Sequence, residues 1–337
     1  MTDLSSIFDN QNDNFHFIRG DKLSDTLFIV FSARDQKKTK NFSFFNTFKK
    51  LNISTLFIRS SENTWYHSGI INDKTQNIAN VFKQIIEQIL LYSDKEKIHN
   101  IYVIGSSMGA YAALLFGHLI GTSFIDKNIF IEIISISPET ILFLPESKSI
   151  SEENFSNIVP KEYIDITLLK NFANRISIYC GEFELVDIYS ALKFQYFNKS
   201  NNIKIYSIID GNHYIPELLH KRYCNGISEF FYNVFFHKIY EPIYSGNIAN
   251  CLNYKDIEPF IYDKKNFSQL DILKECIKKY PSFGLFYNRL GLLYEKCNNI
   301  FLSKFYFNLS LLLNKNYQNT INHLNYLASQ ELRKKFL

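Results

Sequence analysis

Ile101-Tyr102-Val103-Ile104-Gly105-Ser106-Ser107-Met108-Gly109-Ala110-Tyr111-Ala112-Ala113-Leu114-Leu115 is the stretch on which the reading of this chain turns. It starts as a short apolar, β-branched strand, passes through Gly-x-Ser-x-Gly, and continues as small and apolar residues that open a helix. A turn this tight holds the central serine in a strained backbone conformation. Gly105 and Gly109 carry no Cβ, so the strand and the helix can pack closely around it. Ser107 then projects its hydroxyl above the sheet edge, and the helix N-terminus beneath it favours developing negative charge. With these flanks the run reads as a nucleophile elbow; without them, Gly-x-Ser-x-Gly is an ordinary glycine-rich turn.

The same alternation extends along the chain to about residue 235. The apolar runs Phe15–Ile18, Leu27–Phe31, Ser54–Ile58, Ile101–Ile104, Ile129–Ile136, Ile176–Cys180 and Ile203–Ile209 predict strands. Helices are expected over Phe42–Leu51, Thr75–Tyr92, Ala110–Leu119, Ile188–Phe197 and Pro216–Phe235. Strand and helix in alternation imply an α/β fold with a mostly parallel sheet covered on both faces, and the uninterrupted apolar runs fit that burial. Pro138–Asn174 breaks the rhythm with Ser, Glu, Pro and Asn. A lid or substrate loop is one reading of it, and a disordered surface excursion is the other.

After about Tyr240 the pattern is helical without strands. Tyr287, Leu290-Gly291, Tyr294, Ser303, Phe307 and Ser310 resemble a tetratricopeptide repeat in their offsets, with small residues where two helices cross closely. Pro281 and Lys315 bracket the unit, Leu270–Tyr280 looks like half of an earlier repeat, and Asn316–Leu337 fits a capping helix. A plain helical hairpin packed on the preceding domain explains the same residues. The expected division is therefore 1–240 as a catalytic unit and 245–337 as a helical unit that serves binding or assembly, with a protein partner as its expected ligand.

The strand–elbow–helix order over roughly residues 15 to 235 resembles the α/β-hydrolase family, in which the elbow follows the fifth strand of the family fold. The resemblance implies a triad in the order Ser, acid, His. His213, in Asp210-Gly211-Asn212-His213-Tyr214 just past the last strand, matches the family's general base. The acid is expected in Gly181-Glu182-Phe183-Glu184-Leu185-Val186-Asp187. Glu184 stands at the family's usual position but is not the usual Asp. Asp187 is the usual type but comes one turn later, where it also suits the N-cap of a helix starting at Ile188. Both remain open. The oxyanion hole is expected from the Met108 N–H and from the N–H of Ser32 or Ala33 after the second strand. Arg34 on that loop suits an anionic substrate group or plain solvation. Trp65, Tyr66 and His67, on the loop after Ser54–Ile58, suit the wall of a ligand crevice or an anchor to the core.

Composition narrows the classes further. The chain has 337 residues, 46% of them hydrophobic, enough for one large domain and a smaller one. A net charge of +4 without a basic stripe argues against nucleic acid. No signal sequence or membrane-length apolar run is evident. The five cysteines are scattered, without metal or disulfide spacing, so a cytoplasmic, reducing setting is expected. The leading expectation is a serine esterase needing no metal or organic cofactor, acting on a small-molecule or glycan ester. Some bacterial capsule O-acetyltransferases look like this, so O-acetyl transfer from acetyl-CoA to a surface polysaccharide is the enzymatic alternative. A catalytically degenerate interaction protein is the non-enzymatic one.

Overall fold

Seven strands assemble into one sheet in the order β1-β3-β2-β4-β5-β6-β7. They are β1 (Phe15–Ile18), β2 (Thr26–Phe31), β3 (Thr55–Ile58), β4 (Asn100–Ser106), β5 (Phe130–Ile136), β6 (Arg175–Gly181) and β7 (Ile203–Ile208). Only β1 pairs antiparallel, and every other pairing is parallel. The chain is a computed structural model that describes residues 14–34, 41–60, 63–68, 83, 85, 87, 98–124, 128–170, 173–198, 202–262 and 266–336. The architecture is α/β with a mostly parallel sheet, and Ser107 follows the fourth strand of this sheet.

Successive side chains of a strand point to opposite faces, so each central strand feeds two cores. Leu27, Ile29, Phe31, Ile101 and Val103 face one apolar cluster, and Phe28, Val30, Tyr102 and Ile104 face the other. The first core is covered by α2 (Met108–Ser123) and α3 (Leu185–Phe197). The second is covered by α1 (Phe45–Leu51), α4 (Ile215–Arg222) and α5 (Ile227–His237). The long helix expected over Pro216–Phe235 is two helices, because Gly226 takes φ +67° and resets the chain direction between them. The helix expected over Phe42–Leu51 starts only at Phe45, after Phe44 adopts a left-handed conformation. The expected helix Thr75–Tyr92 falls outside the described residues except for Lys83, Ile85 and Glu87, which are helical.

The described part of Pro138–Asn174 is a packed layer. Short helical turns span Ser149–Ile158, Lys161–Ile164 and Ile166–Leu168, and Ile141, Leu142, Leu144, Val159 and Ile166 are buried in the first core. The reading of this segment as a disordered excursion therefore does not hold: most of its scattered apolar residues turn inward, although Ile158 and Leu168 stay exposed. Glu139 pins it, because its buried carboxylate accepts the backbone N–H groups of Lys148 and Ser149.

The C-terminal segment is helical throughout its described length: α6 (Tyr254–Tyr262), α7 (Asn266–Lys279), α8 (Gly284–Lys296), α9 (Ile300–Leu313) and α10 (Gln318–Phe336). α8 and α9 cross at small residues whose hydroxyls bond across the crossing. Ser303 Oγ donates to Gly291 O and Ser310 Oγ to Gly284 O, both at 2.9 Å. A Cβ on Gly291 would lie 2.5 Å from the buried Phe307 ring. Gly291→Ala is thus expected to lower stability by about 1–3 kcal/mol through overpacking, read as a lower denaturation midpoint. An unchanged midpoint would mean that the crossing opens at no cost. These helices share the first apolar cluster with the sheet, through Ile257, Leu285, Phe286 and Tyr317 among others. No helix of the described residues is long and apolar enough to cross a membrane.

Candidate active site

Ser107 sits at φ 55°, ψ −121°, between β4 and α2. A non-glycine residue held there stores strain that the surroundings must enforce. The enforcement is steric and local. A Cβ on Gly105 would lie 1.9 Å from Gly109 O, and one on Gly109 would lie 2.2 Å from Phe31 O. Only glycine at both places lets β4, α2 and the end of β2 meet. Ser107 N–H donates to Ile136 O at 2.9 Å, which ties the apex to the end of β5.

The residues expected as base and acid arrive from the ends of β7 and β6. His213 follows β7, and its Nε2 lies 2.8 Å from Ser107 Oγ. Its Nδ1 lies 2.9 and 3.0 Å from the two carboxylate oxygens of Asp187. Gly181 permits this approach, since a Cβ there would meet the Gly211 carbonyl carbon at 2.4 Å. Both His213 and Asp187 are buried. α3 begins at Leu185, so Asp187 stands inside its first turn instead of capping a helix that starts at Ile188. The two ring nitrogens of His213 are taken by Asp187 and Ser107, which leaves neither for Glu184. Glu184 precedes the helix, and burial together with the Asp187 charge pushes its pKa up to about 7.

Burial opposes a charged imidazole, but the Asp187 carboxylate overrides it, and the His213 pKa is raised to about 9. Neutral His213 is the form that can accept a proton. The rate of Ser107 modification is therefore expected to climb through neutral pH and level off only near pH 9. A pH-rate profile flat above pH 6.5 would show that Asp187 does not hold the imidazolium. The linked stability has a definite sign. A histidine whose folded pKa is raised adds stability that is full below its ordinary 6.5 and is lost as pH rises through about 9.

Met108 is the first residue of α2, where a backbone N–H has no intrahelical acceptor. The other two expected oxyanion donors are engaged. Ser32 N–H donates to Ile58 O at 2.9 Å, extending the β2–β3 ladder, and this corrects its expected role. Ala33 N–H donates to Ser43 Oγ at 2.9 Å, while Ser43 N–H returns a bond to Ser32 Oγ at 3.1 Å. Sequence reasoning missed Ser43, because only folding brings Asn41-Phe42-Ser43-Phe44 against the end of β2. Arg34 follows on this loop and is half-buried.

Trp65, Tyr66 and His67 do not form an open wall; all three are buried. Tyr66 OH donates to Ser32 O at 2.8 Å, so it fixes the end of β2. Tyr111 OH gives its single proton to Tyr163 O at 2.6 Å, and His67 Nε2 lies 3.0 Å from the same hydroxyl. His67 Nε2–H must therefore be the donor in that pair. Burial pushes the His67 pKa down to about 3, which keeps the ring neutral. Trp65 packs edge-to-face on Tyr111, centroids 5.7 Å apart. The loop thus braces the elbow helix and the segment around Tyr163.

Among the described residues, no group of three or more His, Cys, Asp or Glu side chains is arranged to hold a metal ion.

No family model matches the sequence, and no curated protein matches it. Several solved structures resemble it in fold. The capsule O-acetyltransferase of Neisseria meningitidis serogroup A is 19% identical, with a TM-score of 0.44, over 65% of this chain and 89% of that one. An esterase of Pyrococcus furiosus is 17% identical, with a TM-score of 0.36, over 57% of this chain and 81% of that one. A serine hydrolase homologue from Coxiella burnetii is 15% identical, with a TM-score of 0.36, over 60% of this chain and 83% of that one.

Proposed function

We propose that the chain is a serine-dependent acyl-transfer enzyme, in its simplest form an esterase. The observation that carries this reading is the unbroken hydrogen-bond chain from Asp187 through His213 to Ser107, at 2.9 and 2.8 Å, with Ser107 at a strained apex. Ser107 Oγ attacks the acyl carbonyl as His213 Nε2 takes its proton. Asp187 holds the imidazole in the tautomer that presents Nε2 and stabilises the imidazolium that forms. His213 then protonates the leaving alkoxide, and an acyl-enzyme remains on Ser107. A second hydroxyl, water or alcohol, gives its proton to His213 and takes the acyl group.

The tetrahedral oxyanion needs two donors. Met108 N–H is one. Ala33 N–H is the second, since an anionic oxygen forms a bond roughly twice as strong as a neutral one and displaces the Ser43 hydroxyl from it. Arg34 stands next to this donor.

A fluorophosphonate probe followed by peptide mapping tests the reading. Phosphonylation is expected on Ser107 alone; a folded protein that takes up no probe, or takes it elsewhere, sinks it.

One observation supports a second reading in which the acceptor is a hydroxyl of a larger molecule. A cavity of about 900 Å³ opens beside Asn212 and Tyr214, the neighbours of His213; amides of Asn316, Gln318 and Asn319 line it together with the charged Asp210, Lys221 and Arg222, while Ser107 and His213 do not. Amides and tyrosine rings suit a glycan. Acetyl transfer from acetyl-CoA to a polysaccharide, assayed against hydrolysis of the same donor, separates the two.

A further inference from the structure

The turn between α9 and α10, Asn314–Tyr317, reaches the loop between β6 and α3, just before Asp187, and the loop after β7 that carries His213. Tyr317 is buried, and its ring stacks on Phe183 with centroids 3.6 Å apart and planes 16° from parallel. Phe183 lies between β6 and Asp187. Its N–H donates to Gly211 O at 2.8 Å, two residues before His213. One aromatic contact from the helical segment therefore bears on the point where the acid loop is pinned to the base loop. Asn314 is buried beside the same two loops. It lines one cavity together with Asp210 and Asn212 of the base loop.

The base loop is tied to the sheet domain by Arg222, which donates to Ile209 O at 2.6 Å, and by Gly211 N–H, which donates to Ile208 O at 3.0 Å. Asp210 holds φ 58°, an unfavourable conformation for a residue with a Cβ. The His213–Asp187 contact joins residues 26 apart on different strand ends. Reacting groups displaced by an ångström lose rate steeply.

We propose that Tyr317 is a positioning residue: by stacking on Phe183 it holds the Gly211–His213 loop where His213 bridges Asp187 and Ser107. The catalytic consequence rests on the acyl-transfer reading; the structural role does not. The charged groups that act on His213 are Asp187, Glu139 and Glu184. None lies on the α9–α10 turn, but Glu184 also acts on Tyr317, so the labelling rate is read beside the His213 titration.

The test compares full-length Tyr317→Phe, which keeps the ring, with Tyr317→Leu, which keeps apolar volume without it. Three quantities are read: the second-order rate of fluorophosphonate labelling at Ser107, the NMR titration of the His213 ring, and the melting temperature. Tyr317→Phe is expected to match the wild type in rate and titration. Tyr317→Leu is expected to label about 100-fold more slowly. Its His213 pKa is expected to fall by about one unit as the Asp187 contact loosens. A merely structural role would lower the melting temperature and leave rate and titration alone. The proposal is overturned if Tyr317→Leu labels and titrates like the wild type, or if Tyr317→Phe fails as badly. Should Tyr317→Leu not fold, Phe183→Leu removes the stack from the other side, and a wild-type rate and titration there overturn the proposal equally. A folded wild type that takes no label defeats the acyl-transfer reading, and the His213 titration still decides the positioning role.

Discussion

On the acyl-transfer reading, Ser107→Ala is expected to abolish phosphonate labelling and to lower turnover by roughly 10⁶-fold, as for removal of a triad nucleophile. The remaining groups bind and polarise a carbonyl but cannot form the acyl-enzyme. Stability should barely change, by about 0.5 kcal/mol or less. Alanine meets the same backbone strain at φ 55°, and the hydroxyl's bond to His213 is replaced by water at a partly open position. Turnover measured with a chromogenic ester and a denaturation curve on the same sample check both halves. A variant that retains turnover shows that the chemistry does not run through this serine.

On the acyl-transfer reading, Asp187→Asn is expected to lower turnover by about four orders of magnitude, because an amide at this place favours the wrong imidazole tautomer and cannot stabilise the imidazolium. Its apparent pKa falls as well, since the charge that raises His213 to about 9 is gone. Glu184→Gln, by contrast, keeps a near-normal rate, because both ring nitrogens of His213 are already occupied by Asp187 and Ser107. The pair of variants forms one experiment. If Glu184→Gln loses the four orders and Asp187→Asn does not, the acid in this loop is Glu184 and the assignment made from the hydrogen bonds is wrong.

What was legible in the sequence follows from how local the causes are. Residues 101–115 carry their own turn: apolar β-branched residues extend, Gly105 and Gly109 remove the only atoms that would clash, and small residues start the helix. The apolar runs placed all seven strands within two residues of their observed ends, because a strand buried on both faces needs an unbroken apolar run. His213 was visible as a candidate from its place after the last strand. Element ends were less legible where a left-handed residue intervened, as at Phe44 and Gly226.

The tertiary structure alone decided the rest. Glu184 and Asp187 are equally good carboxylates in sequence. The choice depends on α3 starting at Leu185, which turns Asp187 toward a loop from another strand. Trp65, Tyr66 and His67 are residue types that suit a crevice or a core, and only their burial against Tyr111 and Ser32 shows them as braces. Ser32 lost its expected role to a ladder bond with Ile58, a partner that strand pairing supplies and local sequence does not name. The stacking of Tyr317 on Phe183 joins residues more than a hundred positions apart. Short-range sterics and hydrophobic pattern are written in neighbouring residues; which of two similar groups receives a hydrogen bond is fixed only when distant segments close on each other.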